Sequence, residues 1–161
     1  MRISAGSIEL VPAKKADFAA FLELRLKSMR PLGLYAGLGW NKALERRYHY
    51  KVFNRANAGI NKIMVGDECV GFIGIQEKRN VTDLNNVCIY PHLRNRGIVT
   101  NVTEMILNER CAGRIVTASA LAKTASRKGI LDKYGFRRVG RDKNGKLVHY
   151  RRLPHGKKPT P

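Results

Sequence analysis

The hydrophobic positions in the first part of the chain repeat with two different periods. Residues 8–11 form a short apolar run that Pro12 ends, a pattern typical of a strand. The next apolar residues recur at the spacing of one helical face: Phe18, Phe21, Leu22, Leu26 and Met29. The pattern therefore predicts a strand followed by a helix over residues 14–29, which Pro31 and Gly33 end.

A second helix is predicted after a glycine-rich loop over residues 32–39. Asn41 is a typical N-cap residue, and the apolar side chains that follow it at helical spacing are Leu44, Tyr48 and Val52. Beyond residue 59 the period changes to that of strands. The apolar runs 62–65 and 69–75 flank a short Gly-Asp-Glu segment at 66–68, which predicts a tight hairpin turn.

The second half of the chain alternates between the two periods. It predicts a strand over residues 81–90, a helix over 99–107, a strand over 114–122 and a helix over 126–133. Two further strands are predicted on either side of an Asn-Gly hairpin signal: 136–141 and 147–153. Strands and helices in this order predict an α/β (α+β) fold with a central sheet and helices on both faces.

The length of 161 residues predicts one domain over residues 1–153, followed by a basic tail at 154–161 that we expect to be mobile. Residues 1–10 lack the apolar segment of a signal peptide, and no apolar stretch approaches the roughly 20 residues that span a bilayer. Cys69, Cys88 and Cys111 are odd in number and are not spaced like metal ligands. We therefore expect reduced thiols, no bound metal and a cytoplasmic location.

The charge of the chain is unusually positive. Lys and Arg number 31 against 12 Asp and Glu, which gives a formal net charge of +19. A field of this sign attracts anions, so a nucleic acid or an acidic protein is a candidate partner. Many small basic proteins also bind polyanions without specificity, and the sequence leaves the oligomeric state open.

The segment 84–102 carries the clearest chemical signal. A β-branched strand pattern ends at Pro91, a basic loop with Gly97 follows, and the helical pattern starts directly after it. A glycine turn into a helix N-terminus presents free backbone N–H groups at the positive end of the helix dipole, which suits a pyrophosphate. Arg94 and Arg96 add donors that match phosphate oxygens. The glycine patterns of dinucleotide folds and P-loops are absent from the sequence.

This segment resembles the acyl-CoA-binding motif of the GCN5-related N-acetyltransferase (GNAT) superfamily. That motif is Arg or Gln, two residues, Gly, one residue, then Gly or Ala. Arg94 and Gly97 match it, whereas Val99 replaces a residue whose small size lets phosphates approach the backbone. The flanking elements and the Gly-Phe at residues 135–136 extend the resemblance to residue 153. It implies a GNAT-like mixed, mostly antiparallel central sheet with helices on both faces.

The resemblance further implies that the chain binds acetyl-CoA or another acyl-CoA. The loop and the first helical turn would hold it, through Arg94, Asn95, Arg96, Gly97, Ile98, Val99 and Thr100. The family polarises the thioester carbonyl with a backbone N–H of the preceding strand, at positions that Cys88 and Ile89 occupy here. A covalent role for Cys88 is disfavoured because no base lies near it in the sequence.

Candidates for the general base and acid are spread over the chain. Asp83 is the carboxylate closest to the motif, and Glu45 or His49 on the second helix would act through water. Many family members place a tyrosine and an asparagine where this chain has Leu131 and Ala125, which donate no side-chain hydrogen bond. The candidates for a replacement acid are Tyr134, Tyr150 and His149.

The resemblance implies an N-acyltransferase that moves the acetyl group of acetyl-CoA to a primary amine by direct attack. The acceptor, a small molecule or a protein, would bind between the first two helices and the final hairpin. The apolar wall of that site would be Leu34, Tyr35, Leu38 and Trp40. The alternative is a catalytically weakened binding protein on the same scaffold that contacts nucleic acid or another protein. The motif departures and the net charge favour this alternative.

Overall fold

The computed structural model describes residues 7–32, 39–55, 58–122 and 129–154. Within them, seven strands form one sheet: β1 (Ile8–Pro12), β2 (Ile60–Val65), β3 (Glu68–Lys78), β4 (Val81–Ile89), β5 (Ile115–Leu121), β6 (Arg137–Arg141) and β7 (Leu147–Arg152). The helices are α1 (Phe18–Met29), α2 (Lys42–Asn54), α3 (Ile98–Glu109) and α4 (Ile130–Lys133). Short 3-10 turns precede α1 at Lys15–Asp17, follow it at Arg30–Leu32 and follow β4 at Pro91–Leu93.

The sheet is mixed and mostly antiparallel, as predicted. Its strand order is β1-β2-β3-β4-β5-β7-β6, and every neighbouring pair except β4 and β5 is antiparallel. The parallel pair follows from the connection, because α3 carries the chain from the end of β4 back to the start of β5. The predicted fold class is confirmed.

Helices cover both faces of the sheet and bury separate hydrophobic cores. The larger core lies under α3 and includes Ile73, Leu84, Val102, Ile106 and Val148. The smaller core lies under α1 and α2 on the opposite face and includes Phe18, Phe21, Leu24, Phe72 and Cys88. Adjacent residues of one strand enter opposite cores, as Phe72 and Ile73 do on β3 and Cys88 and Ile89 do on β4. This is the side-chain alternation expected of a strand.

The local signals in the sequence are mostly confirmed. Asn41 caps α2, since its side chain accepts a hydrogen bond of 3.0 Å from the Leu44 N–H. The predicted hairpin turn is shorter than expected, because Glu68 already belongs to β3. The predicted helix over 126–133 is wrong at Gly129, which has an extended backbone and precedes α4. Residues 123–128 and the tail beyond residue 154 lie outside the described residues.

Two further findings apply to the described ranges alone. None of their helices combines the length and the hydropathy needed to cross a membrane. Within the same ranges, no three His, Cys, Asp or Glu side chains are grouped closely enough to hold a metal ion.

Candidate functional site

The strand β4 separates from β5 halfway along its length. Its first four residues pair with β5, from Val81 opposite Ile115 to Leu84 opposite Ala118. From Asn85 onward, β4 pairs only with β3 in the described part of the chain. The second half of β4 therefore has one open edge, whose backbone groups can take hydrogen bonds from another molecule.

A β-bulge lies at the point where the two strands part. The register between β3 and β4 shifts between Phe72 and Gly74, and Asn86 adopts a left-handed backbone with φ of 51°. Asparagine is one of the few residues besides glycine that adopts this conformation readily. A bulge increases the local twist of its strand, which is consistent with the end of the β4–β5 pairing here.

Backbone pairing identifies which N–H of the open edge is directed into the gap. The Tyr90 N–H donates to the Val70 carbonyl on β3 at 3.1 Å, so Ile89 and Gly71 form a non-hydrogen-bonded pair. The N–H and C=O of Ile89 are consequently directed away from β3, toward the gap beside β5. Of the two predicted positions, Ile89 rather than Cys88 presents its N–H there.

The loop between β4 and α3 forms a second set of free backbone donors. Asn95 and Gly97 both have a left-handed backbone, with φ of 62° and 80°. The first helical bond of α3 runs from the Asn101 N–H to the Gly97 carbonyl at 3.0 Å. In the described ranges, no protein acceptor lies at hydrogen-bonding distance of the N–H groups of residues 95–100. Alternating left-handed residues before a helix N-terminus make an anion-binding concavity.

These two sets of donors border one pocket of about 440 Å³. Eight residues of the predicted cofactor site line it: Cys88, Ile89, Arg94, Asn95, Gly97, Ile98, Val99 and Thr100. Arg96, the ninth, is exposed and does not line it. The sequence did not indicate Ser28, Val87 and Leu93, which also line it. Ser28 lies on α1, so only the tertiary fold brings it here.

The guanidinium of Arg94 is partly committed to the protein itself. Its Nε donates to the Ile89 carbonyl at 3.1 Å, and its Nη2 donates to Ser28 Oγ at 3.2 Å. Arg94 thereby ties the open end of β4 to α1. The predicted contact of Arg94 with phosphate would use the guanidinium N–H groups that do not take part in these two bonds.

Cys88 lies beside the pocket as a core residue. Its side chain is buried among the residues under α1, and burial raises the pKa of its thiol to about 11. The thiol is therefore protonated at neutral pH. Val99 is half-buried and packs against the opposite core while it lines the pocket.

Asp83 occupies the last part of β4 that still has both neighbours. Thr117 Oγ1 on β5 donates to Asp83 Oδ1 at 2.6 Å, and Asn85 Nδ2 donates to Asp83 Oδ2 at 2.9 Å. Asn86 Nδ2 in turn donates to Asn85 Oδ1 at 2.7 Å. A chain of hydrogen-bonded polar side chains thus runs along β4 from Asp83 to Asn86, past the point where its pairing with β5 ends.

Asp83 does not line the pocket, and neither do the other two candidate bases. Glu45 and His49 are buried on α2, where Glu45 forms an ion pair with Arg30. Burial, followed by the charge of Arg25, lowers the pKa of His49 to about 4. A neutral, fully buried imidazole has no access to solvent, so the structure does not support transfer of protons from the pocket through water to His49.

The candidate acids also lie outside the pocket lining. The Tyr134 hydroxyl donates to Glu104 on α3 at 3.1 Å, and burial together with this bond raises the pKa of Tyr134. Tyr150 is buried in the core under α3, in the same row as Ala118 and Leu84. His149 Nδ1 hydrogen-bonds to Ser119 Oγ at 2.8 Å on the other face.

The remaining predicted residues are the apolar wall of the acceptor site and the two positions where the family often has tyrosine and asparagine. Trp40 is half-buried and packs against Tyr48, with ring centroids 5.0 Å apart. Leu131, which stands where the family often has tyrosine, packs against the core under α3. The other members of the predicted acceptor wall, Leu34, Tyr35 and Leu38, lie outside the described residues, as does Ala125.

Solved structures of other proteins share this fold. An acetyltransferase from Thermus thermophilus is 17% identical, with a TM-score of 0.71 over 95% of this chain and 99% of that one. A GNAT-family acetyltransferase from Bacillus anthracis is 18% identical, with a TM-score of 0.62 over 95% and 98%.

Spermidine N-acetyltransferase from Vibrio cholerae, in complex with CoA and spermine, is 10% identical, with a TM-score of 0.66 over 92% and 96%. No family model matches the chain, and no curated protein sequence matches it either. The chain therefore has the GNAT acetyltransferase fold, as the resemblance implied.

Proposed function

We propose that this protein is an acyl-CoA-dependent N-acyltransferase that transfers an acetyl group to a primary amine. The observation that supports the proposal most directly is the open edge of β4 beside the loop of residues 95–100. One end of the pocket offers a strand edge for an extended amide-containing chain, and the other offers a cradle for an anion. The pantetheine and pyrophosphate of acetyl-CoA carry these two features in the same order.

The residues around the pocket fit such a ligand. The N–H groups of residues 95–100 and the dipole of α3 favour a pyrophosphate, and the exposed Arg96 adds positive charge at the rim. A Cβ at Gly97 would meet no atom within 4 Å, so the space in front of this glycine is open. The pocket volume of about 440 Å³ accommodates a part of a CoA molecule rather than all of it, which leaves the nucleotide at the surface.

A bound acyl-CoA would supply an activated thioester and a thiolate leaving group. The Ile89 N–H, directed into the gap, would donate to the thioester carbonyl oxygen and stabilise the charge that develops there. Asp83 would accept a proton from the acceptor ammonium, which leaves the neutral amine that attacks the thioester carbon. The two residues are six positions apart on β4, no more than about 20 Å, so the proton would travel through water in the gap.

The general acid of the reaction would come from the sheet face that α3 covers. Tyr150 lies in the row of Leu84, where β4 and β5 part, and on the face that α3 covers. We therefore favour Tyr150 over Tyr134 because of its place in this row. Loss of a general acid costs about 10²- to 10⁴-fold and a thiolate leaves readily, so the step tolerates an imperfect acid.

Two measurements on the intact protein test the proposal. Calorimetry should detect acetyl-CoA binding, and thiol release should follow when primary amines are added; the amines should include polyamines, since a spermidine acetyltransferase shares the fold. Absence of binding at millimolar acetyl-CoA, with the protein folded, would refute it.

The alternative of a binding protein for nucleic acid predicts a different outcome. It is supported by the net charge of +19. It requires RNA or DNA affinity that falls steeply with salt, together with no thiol release from any amine. Thiol release above the rate without protein would exclude a purely binding role.

A further inference from the structure

One half of the sheet face that carries α1 forms an open polar surface, which we call the floor: Thr117, Ser119, Arg137, His149 and Arg151. Along β5 and β7, the residues between these positions are buried in the core under α3, namely Val116, Ala118, Val148 and Tyr150. Because side chains alternate across a strand, the floor residues lie on the opposite face. Arg137 is directly opposite Arg151 and shares its face.

The described helices leave the floor uncovered. Helix α1 packs on β3 and β4, whereas its contacts with β5, β6 and β7 are sparse or absent. Ser119, Arg137 and Arg151 are exposed accordingly. A polar and exposed sheet face beside a reaction gap is a surface on which an acceptor can lie.

The strand register connects the floor to the proposed base. Asp83 is opposite Thr117, Thr117 is opposite Arg151, and Arg151 is opposite Arg137. These four residues form one row across β4, β5, β7 and β6. Since neighbouring strands lie about 4.8 Å apart, the Cα atoms of Asp83 and Arg151 are separated by about 10 Å.

The two floor arginines have no acceptor among the described residues. Arg137 and Arg151 form no ion pair or hydrogen bond within that part of the chain. The neighbouring Arg152 differs, since its Nε donates to the Tyr134 carbonyl at 2.8 Å. Arg114 differs likewise, since it donates to Thr82 and to three backbone carbonyls. Two adjacent guanidinium groups without a partner favour an anionic group between them.

We propose that the floor selects acceptor amines that carry an anionic group, a carboxylate or a phosphate, which binds to Arg151 and Arg137 while the amine lies in the gap between β4 and β5. This inference rests on the proposed function and specifies its acceptor class. The same charges repel a second ammonium group, so a polyamine is a poor acceptor for this site.

A series of five-carbon amines isolates the charge at the far end of the acceptor. Pentylamine, cadaverine and 5-aminopentanoate share the reacting amine and differ in a neutral, cationic or anionic end. We expect kcat/KM for 5-aminopentanoate to exceed that for pentylamine at least tenfold, with cadaverine lowest. Phosphoethanolamine compared with ethanolamine shows whether phosphate replaces carboxylate. Equal values for all three five-carbon amines, or a preference for cadaverine, would overturn the inference while leaving the transferase intact.

Matched arginine variants assign the effect to the floor. Arg151→Gln should remove most of the preference for 5-aminopentanoate over pentylamine. Arg138→Gln is the control, because Arg138 is exposed on the same strand as Arg137 but opposite Tyr150, on the other face. Calorimetry with 5-aminopentanoate gives a readout that needs no turnover. The inference is supported if Arg151→Gln weakens this binding and Arg138→Gln does not. It is contradicted if no binding is detected at millimolar concentration.

Discussion

The two halves of β4 belong to one continuous strand and have opposite surroundings. The first half, up to Leu84, has a partner strand on each side, and its Asp83 carboxylate is fixed by Thr117 and Asn85. The second half, from Asn85 to Ile89, has only β3 as a partner among the described strands. One strand thus supplies both a fixed side chain and an open backbone edge.

The difference shows that the open half is not a weakly packed region. The Cys88 and Ile89 side chains are buried in the two opposite cores, whereas the neighbouring Val87 side chain is exposed. Packing on both faces holds this edge in place before any ligand arrives. Such preorganisation lowers the cost of ordering on binding.

The largest predicted effect concerns the paired half. Asp83→Asn keeps the size of the side chain and removes the proposed proton acceptor. We expect kcat to fall about 10²- to 10⁴-fold, with acetyl-CoA affinity nearly unchanged. Steady-state kinetics and calorimetry measure the two quantities. Asp67→Asn, in the exposed β2–β3 turn, is the control and should keep full activity. A loss below threefold for Asp83→Asn would exclude Asp83 as the base.

The second prediction tests whether the Cys88 side chain, in the open half of β4, is shielded from reagents. Burial raises the pKa of Cys88 from 9.0 to about 11, so the thiolate fraction at pH 8 is about 100-fold lower than in the unfolded chain. Iodoacetamide should modify Cys88 at least that much more slowly in the native protein than in urea, as measured by mass spectrometry.

The pH dependence of this reaction gives a further check. The native rate should rise with pH until about 11, because the thiolate forms through that range. Equal native and unfolded rates at pH 8 would show that Cys88 is not in the core.

The third prediction concerns the anion cradle next to the open half. Gly97→Ala introduces no steric clash, but alanine at a φ of 80° costs about 1 kcal/mol and distorts the donors. We expect acetyl-CoA affinity to fall about tenfold. Gly66→Ala is the matched control, with a φ of 58° and equally open space. It should lower the melting temperature similarly without changing affinity. Equal affinity losses in both variants would refute the cradle.

The smallest predicted effect lies at the boundary between the halves. A Cβ at Gly74 would lie 2.0 Å from Asn85 Oδ1, so Gly74→Ala must displace this amide from Asp83. We expect a several-fold decrease in kcat. Asn85→Ala should cause a similar decrease, and the double variant should show no additional loss, since both act through one hydrogen bond. Additive losses would show that Gly74 and Asn85 act independently.

The order and type of the elements were predictable because their signals are local. The apolar period of α1, the Asn41 cap and the Asn-Gly turn before β7 depend on residues within a few positions of one another. The miss at Gly129 has the same origin. A glycine inside a helical pattern gives no decisive local signal, and the extended backbone before α4 is found only in the structure.

The residues that line the pocket were largely predictable, whereas the surroundings of the candidate acids and bases were not. Most of its lining lies within one continuous segment, 87–100, so the strand, loop and helix order already indicated the pocket. Ser28 joins it from a distant helix, and His49 is removed from it by burial. The sequence does not reveal burial of a polar residue on an amphipathic helix, because that depends on what packs against the helix.

By itself, the sequence determined the elements, the glycine turn with its helix N-terminus and the excess of positive charge, since each follows from neighbouring residues or from composition. The tertiary structure alone decided that β4 parts from β5 after Leu84, that the Ile89 N–H is directed into the gap, and that Asp83, Thr117, Arg151 and Arg137 share a row. The physical reason is that strand register and edge pairing are set by contacts between residues distant in sequence, which no local pattern specifies.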